Sequence, residues 1–344
     1  MSPARFQEIT ARYASLRIGV VGDFCLDRYL EIDPDKQEIS IETGLPVHNV
    51  LNVRSQPGGA GTIVNNLVAL GIDVIYPVGF AGDDAEGFEL CRALKGLRGV
   101  RLGHFFATEQ RRTFTYLKPL IVAPGKPPRE LNRFDFKNWA PTPATIQGWI
   151  INAIDSYLSS HVDALVVLDQ VDIPETGVIT AKVLQAVHDL AQTRPDLFII
   201  ADSRRGLKNY PPVCFKMNAA ELNALTGSSS EADLKEISAT AAALSSKQGR
   251  HVFVTLSERG ILGASPNGEV SHVPALPVRG PIDIVGAGDA VTANLAGALA
   301  AGATMPEALE IANAAASIII HQLGTTGTAS VDQIRSLLGG DASS

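Results

Sequence analysis

The run Asp283-Ile-Val-Gly-Ala-Gly-Asp289, followed by an apolar helical stretch from Ala290 to Ala301, is the segment best suited to chemistry. Gly286 and Gly288 permit a tight turn that presents successive backbone N–H groups where a helix begins, and the helix dipole adds positive potential there. Such a turn is an anion hole. A carboxylate beside it repels the anion. Asp289 is therefore either a plain N-terminal helix aspartate or a general base that takes the proton of an attacking hydroxyl. A second glycine-rich run, Pro57-Gly-Gly-Ala-Gly-Thr62, has Asn65 and Asn66 one turn on. Its glycines either let a ligand approach the backbone or form an ordinary turn before a helix. Asn218 and Glu221 stand at i and i+3 in Lys216-Met-Asn-Ala-Ala-Glu221. They either close a capping box or hold a hydrated Mg²⁺, which takes few protein ligands.

Competing chemistries lack their residues. There is no GxxxxGK[ST] phosphate loop, no HExxH, no GxSxG elbow and no CxxC pair, and Gly286-Ala-Gly288-Asp-Ala-Val291 lacks the third small residue of a dinucleotide fingerprint. The 344 residues carry a net charge of −7, with Lys and Arg dispersed, which argues against nucleic-acid binding. Cys25, Cys91 and Cys214 lie far apart, which suits a reducing, cytoplasmic setting. Met1 to Leu16 contains Arg5, Glu8 and Arg12 with no apolar leader core, and no stretch reads as a membrane span.

The elements that must position these residues follow from periodicity. Near-continuous apolar runs at Arg17–Asp23, Val74–Gly79, Ala164–Asp169, Leu197–Asp202 and His251–Leu256 suit strands buried on both faces. Helical patterns lie between them, at Thr62–Leu70, Asp84–Lys95, Pro143–Leu158, Thr180–Gln192 and Ala232–Lys247. The alternation predicts a doubly wound, mostly parallel α/β sheet in one domain over 1–344. Asp23, Asp169, Asp202 and Thr255 fall at strand ends, where such sheets bind ligands and where loops and caps also begin. Residues 29–56 and 102–136 instead alternate apolar with polar and predict a small antiparallel β lid.

Together the motifs resemble the ribokinase-like, or PfkB, carbohydrate kinases over nearly the whole chain. The segment from Gly58-Gly59 to Gly87 resembles the first family signature and Asp283–Asp289 the second. Asn218-x-x-Glu221 resembles the magnesium-organising motif, and Ile311-Ala-Asn313-Ala-Ala-Ala316 with Leu323-Gly324 the last adenine-side helix. Within the family, Gly22-Asp-Phe-Cys-Leu-Asp27-Arg-Tyr29, Ile39-Ser-Ile-Glu-Thr-Gly-Leu-Pro46-Val47 and Leu131-Asn-Arg-Phe-Asp-Phe136 are most similar to bacterial heptose-7-phosphate kinases.

The resemblance implies ATP-dependent phosphoryl transfer to a hydroxyl of a sugar or sugar phosphate. Asp289 would be the base, and the amides of Ala287, Gly288 and Asp289, after Gly286, would stabilise the transferring group. Asp23, Asp27, Gly58, Gly59, Thr62 and Asn66 would hold the sugar. Thr255, Ser257, Gly260, Asn218 and Asn313 would border ATP, with Mg²⁺ at Asn218 and Glu221. The family has Asn where this chain has Thr62, and Thr where it has Val285, which leaves any monovalent-cation site open. A phosphorylated acceptor needs cations, for which Arg28, Arg54, Arg112, Lys118 and Arg133 are available. Unpaired lid edges imply a homodimer through the lid. The few residues after Gly324 imply a kinase with no fused second enzyme. A fructokinase- or nucleoside-kinase-like acceptor, or a non-catalytic sugar- or nucleotide-binding regulator on the same fold, is the alternative.

Overall fold

A strand buried on both faces must be apolar at nearly every position. The computed structural model, which describes residues 1–229 and 232–339, places such strands at its centre. In chain order the first strands are β1 (Arg17–Gly22), β2 (Phe24–Ile32), β3 (Glu38–Ile39), β4 (Pro46–Val47), β5 (Val50–Gly59), β6 (Val74–Gly82), β7 (Phe105–Thr108) and β8 (Phe114–Ile121). Then come β9 (Arg129–Glu130), β10 (Phe134–Phe136), β11 (Ala164–Asp169), β12 (Phe198–Ser203), β13 (Cys214–Asn218), β14 (Val252–Thr255), β15 (Ile261–Ala264) and β16 (Val270–Val273). The helices are α1 (Pro3–Ala11), α2 (Ala60–Ala69), α3 (Ala85–Lys95), α4 (Ala144–Ala153), α5 (Ser159–His161) and α6 (Ala181–Thr193). They continue with α7 (Ala219–Thr226), α8 (Leu234–Gln248), α9 (Ala287–Ala300), α10 (Met305–Ile319) and α11 (Val331–Leu338).

Nine strands form one sheet in the order β16-β15-β14-β13-β12-β11-β1-β6-β7. Its pairings are parallel from β7 to β14 and antiparallel at β14–β15 and β15–β16. This is the doubly wound α/β sheet expected. Strand periodicity builds the two helix layers. Ala164, Val166 and Leu168 of β11 join an apolar cluster with Ile63 of α2, Leu295 of α9 and Leu309 of α10. Leu165 and Val167 face the other way and join Ile150 of α4, Val187 of α6 and Ile237 of α8.

The second sheet, the lid, is ordered β10-β8-β2-β5 with β9 on β8, and β3–β4 form a separate small ribbon. Its pairs are antiparallel except β2–β8, which is parallel. Only Asp23 separates β1 from β2, and β5 runs directly into α2, so the lid stems stand over the carboxyl ends of the main strands. The lid's limits differ from 29–56 and 102–136. The first excursion spans β2 to β5, Phe24–Gly59. Phe105–Thr108 pairs with Gly79–Gly82 at the edge of the main sheet, and the lid resumes at Phe114. The reason is packing: the Phe105 ring meets the buried Phe24 ring edge-on at 5.0 Å, which gives an alternating segment a core partner.

Candidate active site

Gly286 precedes α9 with φ +82°, a conformation that favours glycine, and Ala290 N–H makes the first helical bond, to the Gly286 carbonyl at 3.0 Å. Three amides were expected to face an anion. The Ala287 N–H instead donates to the Ile284 carbonyl at 3.2 Å, so the turn offers the amides of Gly288 and Asp289. Asp289 sits in this first turn, half-buried. Burial pushes its carboxyl up to about 7, the negative charge of Asp202 adds to the rise, and Lys216 opposes it.

Asp202, noted in the sequence only as a strand-end acid, pairs with Lys216, which the sequence did not single out. Asp202 is the next-to-last residue of β12 and Lys216 lies in β13; both are buried, and Lys216 Nζ donates to Asp202 Oδ2 at 2.7 Å. The Thr292 hydroxyl of α9 lies 3.2 Å from the same oxygen. A Cβ on Gly288 would stand 2.9 Å from Lys216 Nζ, so glycine there lets the ammonium lie directly beneath the turn. The signal was present: a lone lysine inside the apolar run Val213-Cys-Phe-Lys-Met217 needs a buried carboxylate.

Across the cleft, Asp27 of β2 is buried beside Lys118 of β8, Oδ1 to Nζ 3.2 Å. Gly58 leaves room for it, since a Cβ there would lie 2.5 Å from Asp27 Oδ2. Burial raises the Asp27 carboxyl and Lys118 opposes that rise. Thr62, in the first turn of α2, turns its methyl toward Gly286, 3.5 Å from where that residue's Cβ would be.

Two of the expected sugar contacts are corrected. The Asp23 carboxylate accepts three backbone N–H bonds, from Val178 at 2.6 Å, Gln170 at 2.8 Å and Val171 at 3.3 Å, and so clamps the loop after β11. Burial and nearby Asp169 push its pKa up, and the amides oppose that rise. Asp23→Ala is expected to destabilise the fold by at least about 3 kcal/mol in urea unfolding, because three amides lose their acceptor. A change under about 0.5 kcal/mol, the range of substitutions away from such features, would return Asp23 to a purely ligand-facing role. Asn66 is fully buried, with its Nδ2 donating to the Thr62 carbonyl at 3.0 Å, so it lies in the core behind the site. Gly59, with φ +57°, stays at the stem because a Cβ would lie 2.5 Å from the Asp23 carbonyl.

Most of the lid cations are already paired. Arg28 meets Glu86 and Glu89, Arg54 meets Glu31, Lys118 meets Asp27 and Arg133 meets Asp135. Arg112 has no ion pair among the described residues. Lys137, Asp172 and Arg204, not foreseen, continue the charged chain from Asp135 toward the body.

At the far end, Asn218 and Glu221 close the capping box at the start of α7: Glu221 N–H to Asn218 Oδ1 is 2.9 Å and Asn218 N–H to Glu221 Oε2 is 2.7 Å. One Glu221 oxygen is left outside the box. Burial raises this carboxyl, Asp202 adds to the rise and Lys216 opposes it. One carboxylate oxygen suits Mg²⁺, which keeps its waters and takes the rest from phosphates. Among the described residues no group of three or more His, Cys, Asp or Glu is gathered to hold a metal. Asn218, Thr255, Ser257 and Arg259 line a cavity of about 760 Å³. Gly260 follows Arg259 outside that lining, with φ +93°, where a Cβ would strike the Val273 carbonyl. Asn313 lies outside that lining, and its amide donates to the Pro274 carbonyl at 2.9 Å, bracing the segment after β16.

Residues 18–332 match the profile described as pfkB family carbohydrate kinase. A bifunctional protein HldE of Bradyrhizobium sp. is 30% identical over 97% of this chain, which covers 66% of that relative. Another HldE, of Hyphomonas neptunium, is 32% identical over 97% of this chain and 66% of its own length. The chain thus spans just under two thirds of these relatives. Among solved structures, Arabidopsis thaliana ribokinase complexed with ribose and ATP superposes with TM-score 0.67 at 22% identity, over 94% of this chain and 98% of that one. Escherichia coli phosphofructokinase-2 in complex with substrates and products gives TM-score 0.71 at 19% identity, with the same coverage of 94% and 98%.

Proposed function

The chain belongs to the pfkB family of carbohydrate kinases, and from that premise we propose that it transfers the γ-phosphoryl group of ATP to a hydroxyl of a sugar 7-phosphate, a heptose above all. The observation that carries this reading is the placement of Asp289: a carboxylate raised to about 7, beside two free amides, on a turn underlain by Lys216.

The acceptor lies between Asp27 and Asp289. Asp289, ionised, accepts the proton of the acceptor hydroxyl as its oxygen bonds to the γ-phosphorus. The bond from that phosphorus to the β–γ bridging oxygen breaks, and ADP leaves. The Gly288 and Asp289 amides and Lys216 offset charge on the transferring oxygens. Mg²⁺, held at Glu221 through water, would neutralise the polyphosphate. The purine would occupy the cavity beside Thr255 and Ser257. The lid covers the acceptor and excludes water.

The lid resemblance to heptose-7-phosphate kinases supports the phosphorylated acceptor. One observation favours a second reading, an unphosphorylated sugar: Arg28, Arg54, Lys118 and Arg133 already have carboxylate partners. A coupled ADP-release screen over sugars and sugar phosphates separates the two. ADP release with heptose 7-phosphate at least tenfold above that with free hexoses supports the first, and the reverse supports the second. No release with any acceptor sinks both and favours a regulator.

The same proposal treats the described chain as one catalytic unit acting in the cytoplasm, in keeping with three free thiols. Among the described residues no helix is long and apolar enough to cross a membrane. Strand β5 is an edge of the lid, with Val50, Leu51 and Val53 exposed, which supports pairing with a second copy of the chain. A monomer mass at all concentrations in light scattering would remove the dimer.

A further inference from the structure

Lid strand β5 reaches one part of the body that the reaction above does not use. Gln56 of β5 lies directly across from Asp27 of β2 in the antiparallel register, so the two side chains share one face of the lid. Its carboxamide grips two hydroxyls of the loop after α10. The Thr325 hydroxyl donates to Gln56 Oε1 at 3.0 Å, and Gln56 Nε2 donates to Thr326 Oγ1. Arg54, two residues earlier on the strand, donates to the Gly324 carbonyl at 3.3 Å.

That loop in turn holds the glycine turn. The Gly324 N–H donates to Asp283 Oδ2 at 3.3 Å, and Asp283 Oδ1 accepts the Val285 N–H at 3.0 Å. Thr326 is buried, with its Cβ and Cγ2 each 3.4 Å from where a Gly286 Cβ would stand. The loop is stiff, because both ends of the Gln322 amide bond Thr328: Nε2 to its carbonyl at 2.8 Å, and its N–H to Oε1 at 3.1 Å. Two routes therefore run from strand β5 to the turn that carries Asp289: hydrogen bonds from Arg54 through Gly324 and Asp283, and the Gln56–Thr326 hydrogen bond followed by the packing of Thr326 against Gly286.

We propose that Gln56 is a positioning residue that registers the acceptor-bearing lid against the phosphoryl-cradling turn, so that nucleotide at the turn orders the lid. This rests on the reading of Gly286–Asp289 as the phosphoryl site. Two donor–acceptor contacts from one carboxamide link elements 269 and 270 residues apart in sequence, and both are lost together if the side chain cannot hydrogen bond. Gln56→Leu keeps the side chain's shape without that capacity. Gln56→Glu keeps two oxygens that both hydroxyls can donate to.

The test is hydrogen–deuterium exchange with and without Mg²⁺ and a non-hydrolysable ATP analogue, which needs no knowledge of the acceptor. In the wild type the analogue is expected to slow exchange in both 283–289 and 50–59. In Gln56→Leu the protection of 283–289 persists and that of 50–59 falls about tenfold, the size expected for two modest hydrogen bonds. Gln56→Glu is expected to restore most of it, and Thr325→Val with Thr326→Val to repeat the loss from the loop side. With the screened acceptor, Gln56→Leu should raise the acceptor KM, and the affinity for the ATP analogue should fall with it, because coupling between two sites is reciprocal. Nucleotide protection of 50–59 that is equal in Gln56→Leu and wild type overturns the proposal, and so does a wild-type lid indifferent to nucleotide. Failure of the analogue to protect 283–289 in the wild type overturns the nucleotide reading itself, a separately visible result. Should Gln56→Leu unfold, the two threonine variants carry the same expectations and the same power to overturn.

Discussion

Asp289→Asn is expected to lower phosphoryl transfer by about 10²- to 10⁴-fold, the usual worth of a positioned general base, while ATP binding persists. Asparagine keeps the shape of the side chain and leaves the Gly288 amide in place, so what is lost is the proton acceptor. The pH profile gives an independent check. With the carboxyl raised to about 7, the base is protonated and idle below that pH. Wild-type kcat/KM for the acceptor should fall tenfold per pH unit below about 7 and level off above it. The residual activity of Asp289→Asn should lack this limb. Stability carries the opposite sign. A carboxylate raised from the model-peptide range is ionised against burial and Asp202 at high pH, so its contribution to stability is fully present below about 4 and lost as pH rises through about 7. Asp289→Asn should therefore gain stability relative to wild type between pH 5 and pH 8 in urea unfolding. Wild-type-like turnover in this variant, or an unchanged acid limb, would remove Asp289 as the base.

The sheet was legible because its physics is written locally. Arg17–Gly22 and Ala164–Asp169 are apolar at nearly every position and lie between helical patterns, which leaves little alternative to parallel strands. β13 was missed as a strand because Lys216 interrupts it, and the lysine is tolerated only by Asp202 from another strand, a partner that no local window contains. The Gly286 turn was legible because glycine spacing and a following helix fix its backbone. Side-chain direction was not. Asp23 and Asn66 were placed at the sugar by the family resemblance, yet Asp23 turns to amides some 150 residues away, at Gln170 and Val178, and Asn66 turns into the core. For Asn218 and Glu221 the sequence allowed a cap or an ion site. The structure forms the cap and leaves one Glu221 oxygen free, so the two readings are compatible. The lid limits erred at Phe105 because alternation marks a half-exposed strand without saying which sheet it joins.

The second large effect falls on Lys216. Its ammonium and the Asp202 carboxylate are both buried, so Lys216→Met leaves a charge without its partner. Breaking such a pair costs roughly 3–5 kcal/mol, and urea unfolding should show that loss. Removing both charges, as Lys216→Met with Asp202→Asn, should restore most of it, since no unpaired ion remains. A structural role would end there, but the acid limb distinguishes the two roles. Lys216 lowers the Asp289 carboxyl, so losing it alone should move the limb above about 7. Asp202 raises that carboxyl, so losing both charges should bring the limb back toward the wild-type position. The limb of the single variant thus lies above that of the double variant. The double variant should still have lower kcat, because the cation beneath Gly288 that faces the transferring oxygens is gone. Full recovery of kcat along with stability, and a limb that stays at about 7 in both variants, would reduce Lys216 to a buried structural ion.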